Sequence, residues 1–119
     1  MSELVEMRLF KVDAATRDEF HRISHEGTVP LMRRLGIRVL AYGPALNNDD
    51  TYYLLRAFSS EEQRKQQATI LYASPQWESE FDTPVMAMII DYRITVMPAT
   101  PALVAELAAQ PARPLERTA

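Results

Sequence analysis

The chain has 119 residues, of which 47% are hydrophobic and 24% charged, with a formal net charge of −3 and no cysteine. This length and composition predict one globular domain, and the missing cysteines exclude disulfides, thiolate zinc sites and thiol nucleophiles. No basic block favours nucleic acid and no apolar run approaches the ~20 residues of a membrane span. The first ten residues do not resemble a signal or transit peptide, so we expect a cytoplasmic protein.

The first third of the chain predicts a strand followed by a helix. Residues 4–12 alternate between apolar and other side chains, which is typical of a half-buried strand. A helix is predicted over 13–35, because apolar residues recur at near-helical spacing and Thr16 and Glu19 can form a capping box.

Glycine and proline residues interrupt and end this predicted helix, and a hairpin follows it. Gly27 and Pro30 predict a kink or short break, and Gly36 is typical of the left-handed residue that ends a helix. Between 37 and 58, two β-rich runs flank the turn-forming residues 47–50, which predicts an antiparallel hairpin.

The second half repeats the helix-then-strand order. Ser60 and Gln63 have capping-box spacing and open a helix that should end near residue 73. The remaining predictions are a short helix over 75–81, a loop at 83–84, a strand over 88–97, a short helix within 101–110, and a loose end after Gln110.

The resulting order, β-α-β-β-α-β, predicts an α+β protein with a ferredoxin-like fold, in which a four-stranded antiparallel sheet carries both helices on one face. We expect the domain to cover residues 1–98. Residues 99–119 would then form a C-terminal tail with a short helix.

The strand alternation separates two faces of the predicted sheet. The face without charges is expected to carry the helices; it comprises Val5, Met7, Leu9, Ile37, Val39, Ala41, Tyr53, Leu55, Ala57, Ile90, Tyr92, Ile94 and Val96. The other face mixes charged and large apolar side chains; it comprises Glu6, Arg8, Phe10, Arg38, Leu40, Tyr42, Tyr52, Leu54, Arg56, Phe58, Asp91, Arg93 and Thr95. Such a face suits neither open water nor a dry core, so we expect a partner to cover it and leave a polar pocket.

Several segments resemble the NIPSNAP family, which belongs to the dimeric α/β-barrel superfamily. They are VEMRLFKV, the PLMRRLG that ends the first helix, YYLLRAFSS, and EEQRKQQATILYASPQW with its Arg64 and Pro75-Gln76-Trp77. The resemblance spans roughly residues 4–97. It implies a homodimer in which two sheets pair by their exposed faces, and a pocket between sheet and helices in each subunit.

The resemblance leaves the activity open, because NIPSNAP-like proteins mostly lack an assigned reaction. The superfamily includes haem-degrading and quinone-forming monooxygenases and lactone isomerases. One hypothesis is therefore a cofactor-independent monooxygenase or isomerase that acts on an aromatic or carboxylated metabolite. The alternative is a non-catalytic dimeric binding or assembly module.

Charged residues on the mixed face are the first site candidates. Arg8, Arg56 and Arg93 could hold a carboxylate or phenolate, because the guanidinium fork matches such anions. Glu6 or Asp91 could then accept a proton beside them. The alternative is that these groups form cross-strand ion pairs, which would leave at least one arginine without an acid.

Histidines and aromatic residues are the second group. His21 and His25 lie four residues apart, but a metal site would need a third ligand, so no metal is expected. His25 is a candidate catalytic or haem-contacting residue, although a hydrogen-bonded helix histidine is the alternative. Tyr42, Tyr52, Tyr72 and Trp77 are the aromatic candidates. Of these, Tyr52 and Trp77 are candidate ligand contacts, and for Trp77 the alternative is an anchor in the core.

Overall fold

The computed structural model describes residues 3–110. The helices and strands follow the predicted order: β1 (Glu3–Val12), α1 (Arg17–Ile23), α2 (Val29–Arg34), β2 (Arg38–Pro44), β3 (Thr51–Phe58), α3 (Glu61–Tyr72), α4 (Asp82–Met88), β4 (Ile89–Ala99) and α5 (Pro101–Ala108). Within these residues, no helix is both long and apolar enough to cross a membrane. The loose end predicted after Gln110 lies outside the described residues.

The strands form one antiparallel sheet in the order β2-β3-β1-β4. The hairpin predicted over 37–58 is β2 and β3, and β1 lies between β3 and β4. This topology confirms the α+β, ferredoxin-like prediction. The central position of β1 means that its side chains have cross-strand neighbours on both flanks.

The helix predicted over 13–35 is interrupted, as expected from Gly27 and Pro30. A π-helical segment, Ser24–Thr28, separates α1 from α2. The capping box at Thr16 was wrong, because the cap is Asp13, whose carboxylate accepts a hydrogen bond of 2.8 Å from the Ala15 N–H. Thr16 makes no such cap bond.

The second helical stretch has the predicted cap and an unpredicted continuation. Ser60 Oγ accepts a hydrogen bond of 3.0 Å from the Gln63 N–H. After α3 a second π-helical segment, Trp77–Phe81, runs directly into α4. The loop predicted at 83–84 was therefore wrong. Pro84 lies in the first turn of α4, directly after the π-helical segment.

The helices cover the mixed face of β1 and β3, which corrects the prediction that they would cover the uncharged one. Phe10 of β1 packs against Phe20 of α1, with ring centroids 5.6 Å apart. Glu6 is bonded by Arg64 of α3, and Arg56 lies within 3.9 Å of the sulfur of Met32 in α2. Charges are tolerated here because they are paired with one another, whereas an isolated buried charge would be very costly.

The side assignment of β2 and β4 was also partly wrong. A bulge between Val39 and Ala41 places Arg38, which pairs with Ala57, and Tyr42, which pairs with Leu54, on opposite sides. In β4, Ile94 pairs with Arg8 and so lies on the helix side. The sequence pattern did not predict this bulge. A single extra residue in a strand moves every later side chain to the other side of the sheet, so the assignment made from strict alternation failed.

The opposite side of the sheet is covered at one end only, within residues 3–110. Val104 of α5 packs there against Val5, Leu40 and Ala57. Farther along, Leu9 remains 38% exposed. We refer to the part of this side that α5 leaves open as the uncovered side; it includes Met7, Leu9, Tyr53, Arg93 and Thr95.

Candidate functional site

A cavity of about 390 Å³ lies between the sheet and the helices. This volume falls in the range of about 300–1,000 Å³ that is usual for ligand pockets. Much of the wall is aromatic, and these side chains come from strands and helices alike: Phe10, Phe20, Tyr42, Tyr52, Tyr72, Trp77 and Tyr92. Part of the wall is open to solvent, since Tyr92 is 52% and Ile94 40% exposed. A planar apolar molecule would suit such walls.

Both π-helical segments contribute to the wall of this cavity. Ser24 and Thr28 come from the first segment and Trp77 from the second. The two segments pack against each other through Phe81, and a Cβ built on Gly27 would lie only 2.5 Å from the Cε1 atom of that ring. π-Helical turns occur frequently at functional sites, because they re-aim side chains that a regular helix would point elsewhere.

A buried ion cluster lies beside the cavity. Glu6, itself fully buried, accepts hydrogen bonds from Arg56 at 2.6 and 2.9 Å, from Arg8 at 2.8 Å and from Arg64 at 2.9 Å. Arg64 is also paired with Glu61 on the surface of α3. One carboxylate therefore fixes three guanidinium groups that arise from β1, β3 and α3.

The cluster keeps Glu6 ionised. Burial alone would raise the pKa of Glu6, but the hydrogen bond from Arg8, the charge of Arg56 and the hydrogen bond from Arg64 together lower that pKa to about 2. A carboxylate held in this state is a weak base. Its main effect is to orient the arginines, of which Arg8 also lines the cavity.

The cluster carries a surplus of positive charge. Three arginines face two carboxylates, Glu6 and Glu61, so one positive charge is not matched within the group. Arg8 belongs both to this cluster and to the cavity wall, so it brings positive charge to the wall where a ligand would lie.

Two histidine–tyrosine pairs join α1 and the π-helical segment after it to the hairpin. His21 Nδ1 lies 2.6 Å from the Tyr52 hydroxyl, and His25 Nδ1 lies 2.6 Å from the Tyr42 hydroxyl. The four-residue spacing of the histidines matches the diagonal spacing of tyrosines on neighbouring strands. Both tyrosines line the cavity.

The two pairs differ in their contact with solvent. His21 and Tyr52 are almost fully buried, at 3% and 1% exposure, whereas His25 and Tyr42 are only half-buried. Burial raises the pKa of Tyr52 far above its usual value. Burial also raises the pKa of Tyr42, and the nearby charge of Arg33 opposes that change.

The structure brings most of the sequence-predicted site residues to one region. Arg8, Tyr52 and Trp77 line the cavity, Glu6 and Arg56 lie in the ion cluster, and His25 contacts the cavity-lining Tyr42. Asp91 and Arg93 lie apart from these residues. They are exposed on β4 and pair with Lys11 and Leu9, whose side chains alternate with those of the cavity side.

Several groups at the site were not predicted from the sequence. Arg64 was noted only as part of the family resemblance, yet it is a direct partner of Glu6. Tyr42 was one of the aromatic candidates, but its hydrogen bond with His25 was not predicted. The four-residue spacing of His21 and His25 was the available signal, since it matches two residues on a neighbouring element. Among residues 3–110, no group of three or more His, Cys, Asp or Glu could hold a metal ion.

Comparison by sequence finds no matching family model and no matching curated protein. Comparison by structure finds many solved chains with this fold. A NIPSNAP domain protein from Burkholderia xenovorans has a TM-score of 0.73 and 19% identity, with 82% of this chain and 95% of that chain covered. A NIPSNAP family protein from Agrobacterium tumefaciens has a TM-score of 0.75 and 15% identity, covering 83% and 87% of the two chains.

More distant neighbours include an oxygenase. A cofactor-independent oxygenase from Streptomyces nogalater has a TM-score of 0.57 and 16% identity, with 80% of this chain and 90% of that chain covered. At these identities the likeness concerns the fold. The chain thus has the ferredoxin-like fold that these NIPSNAP family structures share.

Proposed function

We propose that this protein is a NIPSNAP-family homodimer of the cytoplasm, and that its cavity binds a small aromatic ligand with an acidic group. The observation that carries the proposal is Arg8, which lines an otherwise largely aromatic cavity and belongs to a cluster with surplus positive charge. A carboxylate or phenolate on the ligand would supply the missing negative charge.

The surroundings of Arg8 favour such an anion. Its guanidinium is held by two contacts to Glu6, of 2.8 and 3.5 Å, so little conformational entropy remains to be lost when a ligand binds. Apolar walls strengthen a charge–charge contact, because they replace water with a medium of lower dielectric constant. The ligand's aromatic part would lie between Phe10, Trp77 and Tyr92.

If the ligand is turned over, cofactor-independent oxygenation or isomerisation is the reaction class we propose. Both can begin with the loss of a proton from the ligand, and Arg8 would stabilise the anion that forms. The oxygenase from Streptomyces nogalater lends support at the level of fold.

Two fluorescent dyes test the proposed ligand class. 1-Anilinonaphthalene-8-sulfonate is an aromatic anion, and N-phenyl-1-naphthylamine has the same ring system without the sulfonate. We expect both dyes to bind the wild-type protein. Arg8→Met should weaken binding of the anionic dye about tenfold, equivalent to about 1.4 kcal/mol, and should leave the neutral dye nearly unaffected.

The control is Arg22→Met, because Arg22 lies on α1 in an exposed ion pair and does not line the cavity. Arg93→Met tests another of the three predicted arginines, and we expect it to behave like the control. Equal affinity of the anionic dye for wild type and Arg8→Met would overturn the proposal, as would the failure of both dyes to bind.

The alternative, a non-catalytic assembly module, is favoured by a different observation. The uncovered side of the sheet exposes apolar residues such as Leu9, which a second copy would shelter. A protein that forms dimers but binds neither dye would have this function instead.

A further inference from the structure

We infer that Tyr42 and His25 together remove a proton from the ligand, with Tyr42 in contact with the ligand and His25 as the final acceptor. The inference rests on the proposed function and adds to it the group that ionises the bound acid. Tyr42 lines the cavity, and its hydroxyl lies 2.6 Å from His25 Nδ1. The ligand class is accordingly a phenol or another weak oxygen or carbon acid.

The transfer is a balanced acid–base step. The ligand's O–H or C–H bond breaks and its proton moves to the Tyr42 oxygen, while the Tyr42 O–H proton moves to His25 Nδ1. The products are an anionic ligand beside Arg8, a neutral tyrosine and an imidazolium at His25. No electron is transferred, and the proton leaves for solvent from the half-buried imidazole.

The other pair has the same 2.6 Å contact but different surroundings. His21 is 3% exposed, so a proton placed there would have no comparable route to water, and the charged imidazole would be poorly solvated. We therefore assign His21 and Tyr52 to fixing α1 on the hairpin. His25 and Tyr42 form the pair that exchanges protons with solvent.

The charges around the pair come from several elements. Near His25 lie the ion-paired Arg22 and Glu26, while His21, Arg33 and Tyr52 lie near Tyr42. The guanidinium carbon of Arg33 is 6.0 Å from the Tyr42 ring centroid, where its charge favours transient negative charge on the tyrosine oxygen.

The test uses 4-nitrophenol, whose phenolate absorbs visibly, and 4-nitroanisole, which has no acidic proton. Each is titrated into the full chain at a pH below that at which free nitrophenol ionises, while NMR follows the His25 ring. We expect the wild-type protein to bind nitrophenol as phenolate, at least ~10-fold enriched over the free probe, as His25 becomes an imidazolium. Nitroanisole should bind without changing His25.

Two variants interrupt the transfer at different points, and a third is a matched control. In Tyr42→Phe and in His25→Gln, bound nitrophenol should remain neutral, and in Tyr42→Phe the His25 signal should not move. Tyr53→Phe removes a hydroxyl from the uncovered side of the same hairpin and should behave like wild type. Circular dichroism shows whether each variant is folded, and either disruptive variant alone suffices.

The outcomes separate this inference from the proposed function. Nitrophenol bound as neutral phenol, phenolate formed with His25 unchanged, or phenolate retained in Tyr42→Phe would each overturn the transfer while the ligand pocket stands. Failure of both probes to bind the wild-type protein would overturn the proposed function and this inference with it.

Discussion

Glu6 and Arg56 form a buried ion pair, in which one carboxylate oxygen accepts hydrogen bonds of 2.6 and 2.9 Å from the guanidinium. The two residues face each other across β1 and β3, with 0% and 1% of their side chains exposed. Glu6 also accepts a hydrogen bond of 2.8 Å from Arg8. The stability of the sheet and the orientation of the cavity arginine therefore depend on the same carboxylate.

Removing this carboxylate should destabilise the protein strongly at neutral pH. Glu6→Gln would leave the buried Arg56 without a counter-charge, which typically costs about 3–5 kcal/mol. Urea unfolding measures the loss. The exposed Glu19→Gln provides the control, and we expect it to change stability by less than about 1 kcal/mol.

The contribution of Glu6 should also depend on pH. Its pKa falls from 4.5 to about 2 on folding, so its stabilisation is fully present above about pH 4.5 and is lost as the pH falls towards 2. The shift corresponds to about 3 kcal/mol. The stability difference between wild type and Glu6→Gln should therefore narrow by about that amount over this interval, and a difference independent of pH would contradict the prediction.

Gly27→Ala should disturb the contact between the two π-helical segments. The new Cβ would lie 2.5 Å from the Phe81 ring, which is buried, and relief requires movement of that ring or of the backbone. We expect a loss of about 1–3 kcal/mol, measured by thermal or urea unfolding. The double variant Gly27→Ala/Phe81→Leu should be less destabilised than the sum of the single changes, whereas simple additivity would refute the steric explanation.

Arg17 of α1 should stabilise the hairpin loop through direct hydrogen bonds. This arginine is 4% exposed, and its Nη1 atom lies 2.6 Å from the Asn48 carbonyl oxygen and 3.3 Å from that of Ala45. Arg17→Met would leave these carbonyls without their donor, at a cost of about 2 kcal/mol. Amide exchange in residues 45–51 should then accelerate more than in β1, and Arg22→Met on the same helix serves as the control.

A charge on the uncovered side should separate the proposed dimer. Leu9→Lys places an ammonium at a 38% exposed apolar position of β1, where a second sheet would otherwise exclude water. Sedimentation should show a monomer at concentrations where wild type is dimeric. Ile70→Lys, at a 51% exposed position on α3, should leave the dimer unchanged, and dissociation by both variants would argue against this interface.

Local signals in the sequence were sufficient for the element order. Ser60 caps α3, and Gly36, with a φ of 87°, ends α2 in the left-handed conformation. Thr16 lost its predicted role because Asp13 accepts the first free N–H three residues earlier. Such errors shift an element's end by a residue or two and do not alter the topology.

Which side of the sheet the helices cover could not be inferred from local signals. It depends on contacts between residues that are far apart in the sequence. The face that carries Glu6 was expected to meet a second subunit, because the counter-charge that α3 supplies to Glu6, Arg64, lies 58 residues away in the sequence. His25 likewise acquires its role only through Tyr42, which the bulge in β2 turns towards the helices.

The alternation of β4 has a thermodynamic consequence. Tyr92 and Ile94 of this strand line the cavity, while Arg93 and Thr95, which alternate with them, lie on the uncovered side. A ligand that restrains one set of side chains would restrain the strand that presents the other set to a second subunit. Ligand binding and dimerisation would then be thermodynamically linked. If the bound ligand raises the dimer association constant by some factor, dimerisation raises the affinity for the ligand by the same factor.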